Sequence, residues 1–185
     1  NAFMLYAKGY GTSFSIDLQK YASDRTTLVT SVSLVTATAP EFDFVIDNTG
    51  LLHLVYINGL DLIYQQISNA GALVGSAVIL DTQANQCGYP RVVTDLRFSK
   101  LYVVYTSLLG PANNQPYFTT RALDGALITA PIRLVTNAAD VIRPVITVTG
   151  DLLAHIAYED ATSQAIYHEV RDDIGALVSA SVIIS

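Results

Sequence analysis

Tryptophan is absent from this chain of 185 residues, and cysteine and methionine occur once each, as Cys87 and Met4. A lone cysteine excludes an intrachain disulfide and the paired-cysteine spacing of a structural zinc site. Charge is scarce too. Only 14% of residues are charged, and lysine stands only at Lys8, Lys20 and Lys100. The arginines are scattered singly in a chain of net charge −6, which argues against the clustered basic surface that nucleic-acid binding requires. Long apolar runs are missing as well. A long uncharged stretch, residues 62–80, carries Gln65, Gln66, Ser68, Asn69 and Ser76 and splits around Asn69–Gly71, so no membrane-spanning helix is expected there. No Gly-rich phosphate loop, nucleophile elbow or EF-hand string is present, so no cofactor and no metal are implied.

What the chain does have is apolar content, 51%, enough to exclude disorder, and a fourfold repeat. An aliphatic stretch closed by tyrosine recurs at Tyr6, Tyr56, Tyr105 and Tyr158, with steps of 50, 49 and 53 residues. A second aromatic follows each, as Phe14, Tyr64, Tyr117 and Tyr167, and then a turn that exits through Leu28, Leu73, Leu127 or Leu177. Another aliphatic stands seven residues on, at Val35, Leu80, Leu134 and Ile184. A period near 50 with only strand-sized segments inside it predicts propeller blades.

The second copy shows the layout. Residues 41–46 read as a strand ending at Asp47-Asn48-Thr49-Gly50; 51–57 follow, then Asn58-Gly59, a strand over 62–67, a turn at 68–71 and a last strand over 72–80. Four antiparallel strands make one blade. Leu51-Leu52-His53-Leu54-Val55-Tyr56 is apolar on both faces, as stacking between blades requires. The expected fold is therefore an all-β β-propeller of four-stranded antiparallel blades, about 3.75 in this chain, over 1–38, 39–88, 89–142 and 143–185. The first copy has no first strand, leaving residues 2–6 as an apolar edge. The chain is expected to self-associate or to form part of a six- to eight-bladed propeller.

The third turn carries a family resemblance. Arg171-Asp172-Asp173-Ile174-Gly175-Ala176-Leu177-Val178 resembles a degenerate Asp-box, with echoes at Asn69-x-Gly71 and Asp24-x-Thr26 and with Val29, Val74, Ile128 and Val178 where the family has tryptophan. The resemblance is to sialidase-like propellers and covers nearly the whole chain. It implies an arginine triad, a tyrosine nucleophile with a glutamate partner and an aspartate acid. No such set can be placed here, and no two arginines are read at one repeat position.

His53 and His155 both stand three residues before the tyrosine, where the other copies have Phe3 and Tyr102. A position filled by four flat rings is expected to pack between blades, so His→Phe should cost at most about 1.5 kcal/mol. His168 and Glu169 should point to opposite faces of their strand, and Glu159-Asp160 and Asp172-Asp173 should cap turns. Recognition is expected in the loops over 81–89, 136–143 and 107–115, with Gln83, Asn85, Gln86, Tyr89, Asn113, Asn137 and Asp140 as ligand-binding groups. Tyr10, Tyr21 and Tyr89 stand outside the repeated positions and are candidates for exposed contacts. The expected function is non-catalytic recognition or adhesion outside the cytoplasm, at a cell or virion surface, with a glycan or protein partner and no nucleic acid. An architectural subunit and a sialidase-like glycoside hydrolase are the alternatives.

Overall fold

The computed structural model describes residues 2–82, 87–95, 97, 100–108, 114–134 and 140–183. Among them no helix occurs, and the strands follow one another in four antiparallel sheets. Blade 1 holds β1 (Ala2–Tyr10), β2 (Ser13–Tyr21) and β3 (Leu28–Ala37). Blade 2 holds β4 (Phe42–Ile46), β5 (Leu52–Asn58), β6 (Asp61–Ile67) and β7 (Leu73–Thr82). Blade 3 holds β8 (Cys87–Asp95), β9 (Lys100–Leu108), β10 (Asn114–Ala122) and β11 (Leu127–Arg133). Blade 4 holds β12 (Val141–Val148), β13 (Ala154–Asp160), β14 (Ile166–Arg171) and β15 (Leu177–Ile183). The architecture is the expected one, with three strands in the first sheet and four in each of the others. β8 and β12 start at Cys87 and Val141, ahead of the expected blade starts at 89 and 143. Among the described residues β1 is an edge strand paired with β2 alone, and Ile184 lies outside them.

Each blade lies face to face with the next. Ile16 and Leu18 of blade 1 meet Leu52, Leu54 and Tyr56 of blade 2. Val55, Ile57 and Tyr64 meet Leu101, Val103 and Tyr105 of blade 3, and Tyr102, Val104 and Phe118 meet Ala154, Ile156 and Tyr158 of blade 4. Leu52 to Ile57 are all buried, even and odd residues alike, because β5 has a neighbour on both sides. Tyr56, Tyr105 and Tyr158 all pack toward the preceding blade. The second aromatic is not one position, however. Tyr117 and Tyr167 pair directly with Tyr105 and Tyr158 and stack on them at 5.7 and 5.6 Å, whereas Tyr64 pairs with Val55. The short hairpin at Asn58–Asp61 brings the strand back sooner, so Tyr64 faces the following blade.

The third-turn glycines set the spacing between blades. Gly71, Gly125 and Gly175 have φ of +85°, +87° and +84°, and a Cβ there would come within 3.0 Å of Val32, 2.7 Å of Tyr64 and 2.5 Å of Ile132, each on the preceding blade. Only glycine allows both the turn and the approach. In blade 1 the turn over 22–27 is one residue longer, and exposed Arg25 takes the left-handed position at φ 60°.

His53 is fully buried, as expected, but it does more than fill volume. Its Nε2 lies 3.2 Å from Asp47 Oδ2 and its Nδ1 2.7 Å from the Tyr64 hydroxyl. Tyr64 donates onward to the Leu123 carbonyl in the third turn of blade 3, which also accepts from Gln66 Nε2 at 2.8 Å. Burial pushes the imidazole below 6.5 although Asp47 pulls it up.

Two sets of measurements test this packing. Gly125→Ala and Gly175→Ala combine left-handed strain with a clash and should each lose about 2–4 kcal/mol in urea melts. Gly59→Ala, at φ +67° with open space around it, should lose only about 1 kcal/mol. His53→Phe leaves the buried Asp47 Oδ2 without its His53 partner, so it should cost about 2–4 kcal/mol rather than the volume-only figure. Because the folded pKa of His53 lies below the unfolded 6.5, the unfolded chain takes up the proton first on acidification. This contribution is thus fully present above about pH 6.5 and is lost as pH falls below it. Melts from pH 8 to 5 should show that slope in the wild type and lack it in His53→Phe.

Candidate functional site

In each complete blade the 1–2 and 3–4 turns lie at one end, while the 2–3 turn and the link to the next blade lie at the other. The expected binding loops belong to the link end. Of the residues singled out there, Gln83, Asn85, Gln86, Asn113 and Asn137 lie outside the described residues, while Tyr89 and Asp140 are described.

Tyr89 stands in a β-bulge of the inner strand β8, where the pairing register shifts between Gly88 and Arg91. The inner strand of the next blade repeats the device: β12 shifts register between Ile142 and Val145, with Arg143 inside the bulge. Both residues take left-handed φ, 47° for Tyr89 and 51° for Arg143, and both precede proline, Pro90 and Pro144. A bulge bends its strand and re-aims a side chain, and the residue ahead of a proline is sterically restricted as well. The equivalent Ala39-Pro40 of blade 2 shows no positive φ.

Asp140 lies just ahead of β12. Its Oδ1 accepts from the Asn114 backbone N–H at 3.2 Å and from Asn114 Nδ2 at 3.0 Å, tying the link to the 2–3 turn of blade 3. The Asp140 carbonyl accepts from the Ala161 N–H at 2.8 Å. Beside it, Gln115 Oε1 accepts from Arg133 Nε at 3.1 Å and Nη2 at 2.8 Å. Arg143 Nη1 lies 3.6 Å from Glu159 Oε2, and the Arg143 side chain is 71% exposed. These two residues, with Val145, Ala157, Tyr158 and Ile166, line a cavity of about 180 Å³. That volume is below the roughly 300–1,000 Å³ of most small-molecule pockets and suits one ring of a larger ligand.

This end therefore presents an aromatic ring, amides, carboxylates and a guanidinium on rigid strands. Such a set can hydrogen-bond a polyhydroxyl surface. Glu159 is the only carboxylate lining the cavity among the described residues, and Arg143 faces it. Arg143 escaped the sequence reading, although Arg143-Pro144 repeats Tyr89-Pro90 at the blade period.

The other candidates fall elsewhere. Tyr10 is 95% exposed at the blade 1 hairpin, and Tyr21 donates to Gln19 Oε1 at 2.7 Å. His155 is half-buried on the face of blade 4 turned away from blade 3, its Nδ1 3.2 Å from His168 Nε2. Glu169 points the other way, as expected. It is buried and paired with Arg171, and burial raises its carboxyl pKa against the pull of that arginine. Asp160 holds its turn through the Thr162 N–H at 2.9 Å and Ser163 Oγ at 2.8 Å, and Asp172 does so through the Ile174 and Ala176 N–H groups at 3.1 and 2.7 Å. One reading needs correction. Arg121 pairs with Leu101 and Arg171 with Ala154, both four residues before the repeat tyrosine, so these two arginines do share a position. Both are spent on structure, Arg121 on the Leu80 carbonyl and Thr119, Arg171 on Glu169 and the Gly175 carbonyl.

No protein-family model matches the sequence, and no curated protein matches it. Solved structures do. A quinonprotein alcohol dehydrogenase-like protein from Bacteroides thetaiotaomicron superposes with a TM-score of 0.60 at 11% identity, over 97% of this chain and 45% of its own. An α-L-arabinofuranosidase from Clostridium thermocellum gives 0.58 at 13%, over 98% and 68%. A polysaccharide lyase, an ulvan lyase, gives 0.64 at 11%, over 92% and 48%. The chain thus spans under half the length of two of these and about two thirds of the third. Identities this low speak to the fold alone, and that fold is the β-propeller.

Proposed function

We propose that this chain is a glycan-recognition β-propeller module that binds through the link end of blades 3 and 4, without catalysis and outside the cytoplasm. The observation that carries the reading is the pair of equivalent bulges that hold Tyr89 and Arg143 at left-handed φ ahead of proline. Each conformation costs of the order of 1–3 kcal/mol, and such strain gathers where a side chain must be aimed. An aromatic face packs on sugar C–H groups, while Arg143, Glu159, Asp140 and Asn114 offer donors and acceptors for hydroxyls. Two of the similar folds belong to proteins named an α-L-arabinofuranosidase and a polysaccharide lyase, which supports a sugar partner over a protein one. The Asp-box-like turns support a kinship with sialidase-like propellers, yet Glu159 beside Arg143 is not the pair of carboxyl groups that glycoside hydrolysis uses. Low lysine with abundant Ser, Thr, Asn and Tyr supports the location.

A glycan array probed with the 185-residue chain should give specific retention. Titration of a retained glycan should then show Tyr89→Ala and Arg143→Ala each weakening binding at least tenfold, with circular dichroism unchanged. The reading fails if no glycan is retained, or if the double variant binds as the wild type does. Release of reducing ends from a retained glycan would install the hydrolase alternative.

A further inference from the structure

In blades 2 to 4 the face turned toward the next blade carries a repeated pair of rings. Tyr64, Phe118 and His168 each pair across the sheet with the residue ahead of the repeat tyrosine, Val55, Val104 and Ala157. Their ring partners are His53, Tyr102 and His155, at centroid distances of 6.0, 6.3 and 5.4 Å. In blades 2 and 3 this pair seats the third turn of the following blade, so that a Cβ on Gly125 would meet Tyr64 at 2.7 Å and one on Gly175 would meet Phe118 at 3.7 Å. In blades 1 to 3 a long polar side chain also reaches that turn: Lys20 the Asn69 carbonyl, Gln66 the Leu123 carbonyl and Lys100 the Asp173 carboxylate.

Blade 4 keeps the rings and changes their surroundings. Val170 pairs with His155 as Gln66 does with His53, and Leu153 stands where Lys100 does, five residues before the tyrosine, so neither long donor remains. Ala157 replaces the fully buried Val55 and Val104, and the smaller side chain deepens the cavity lined by Val145 and Ile166. His168 lies directly across from Ala157, and His155 lies two residues along on the same face of the strand. Both imidazoles are half-buried. The bond between His155 Nδ1 and His168 Nε2 leaves one nitrogen on each ring with no hydrogen-bond partner among the described residues. Exposed Thr147, which pairs with His155, adds a hydroxyl. From Glu159 to His155 this face runs about 13 Å along the strand, so the cavity and the ring pair lie end to end.

We propose that the glycan site continues from the cavity over the His155–His168 pair, so that it takes two consecutive rings of a linear polysaccharide rather than one terminal sugar. The extension rests on the glycan reading above and adds the length and direction of the ligand. The first ring lies over Ala157, where Arg143 and Glu159 meet its hydroxyls. The second lies over the imidazoles, whose free nitrogens bond hydroxyls together with Thr147. A hydroxyl-rich ligand suits this pair better than a protein turn does, because the long donors that hold such turns elsewhere are replaced by Val170 and Leu153.

The test uses the 185-residue chain with the monosaccharide and the disaccharide of the glycan that the array retains most strongly. Calorimetry should show the disaccharide binding about tenfold or more tighter than the monosaccharide. His168→Ala should weaken the disaccharide about fivefold or more and leave the monosaccharide within about twofold of the wild type. The chain has only three histidines, so their ring signals are separable by proton NMR. Disaccharide should move the signals of His155 and His168 and spare those of fully buried His53. If His168→Ala does not fold, the NMR titration of the wild type decides. Equal affinity for the two sugars, unmoved His155 and His168 signals, or unchanged disaccharide affinity in His168→Ala overturns the proposal and leaves the glycan reading standing. Retention of no glycan at all removes both.

Discussion

Burial of every interior sheet on both faces is the constraint from which the other features of this chain follow. A four-stranded sheet with apolar residues at successive positions, such as Leu52 to Ile57, cannot stand in water alone. A fully buried Leu or Ile contributes about 1.5–3 kcal/mol only when the neighbouring blade covers it. Blade packing therefore selects the glycines at the third turns, since the turn of one blade must lie directly on the side chains of the last. It also explains why the repeat survives as pattern rather than identity. Position by position, any aliphatic or ring of suitable volume serves.

Polar groups inside such interfaces are held more strictly than apolar ones, because a buried donor or acceptor without a partner costs more than a bond returns. Between blades 2 and 3 the demand is met by a chain from Asp47 through His53 and Tyr64 to Leu123, and again where Tyr105 donates to Asp81 and Arg121 to the Leu80 carbonyl. Burial raises the Tyr105 phenol far above its ordinary value, so it stays a donor at any physiological pH. Cys87 lies against the same core, and burial lifts its thiol to about 12, which makes it inert. One blade further on, the apolar contacts persist while the polar chain is broken. The repeat conserves shape across interfaces without conserving chemistry.

Strand number and order were legible in the sequence because alternation, turn residues and the tyrosine period all gave one answer. Registers were not. Tyr64 and Tyr117 are each the second aromatic of their copy, yet a two-residue hairpin in one blade and a longer loop in the next place them on opposite faces. The same loop variation hid the equivalence of Arg121 and Arg171. Pairwise bonds such as Asp47 to His53 depend on how a turn folds back over a strand, and composition carries no trace of that. Of the candidate site, Tyr89 and Asp140 were legible as polar or aromatic residues outside the repeat. Arg143 was not, since its distinction is a backbone angle.

The two ends of the blades are under different constraints, and this decides where function can vary. At the turn end, Gly71, Gly125 and Gly175 lie on the preceding blade, and Leu123 receives the polar chain of blade 2, so substitutions there disturb the stack. At the link end the segments differ freely in length and sequence between blades. The bulges at Tyr89 and Arg143 are anchored by regular ladder pairing on either side, Cys87 with Ser107 and Val92 with Val103 in one blade, Val141 with Asp160 and Ile146 with Ile156 in the other. That anchoring lets a strained φ persist, because the surrounding hydrogen bonds outweigh its cost. Rigid strands thus fix the aromatic and the guanidinium.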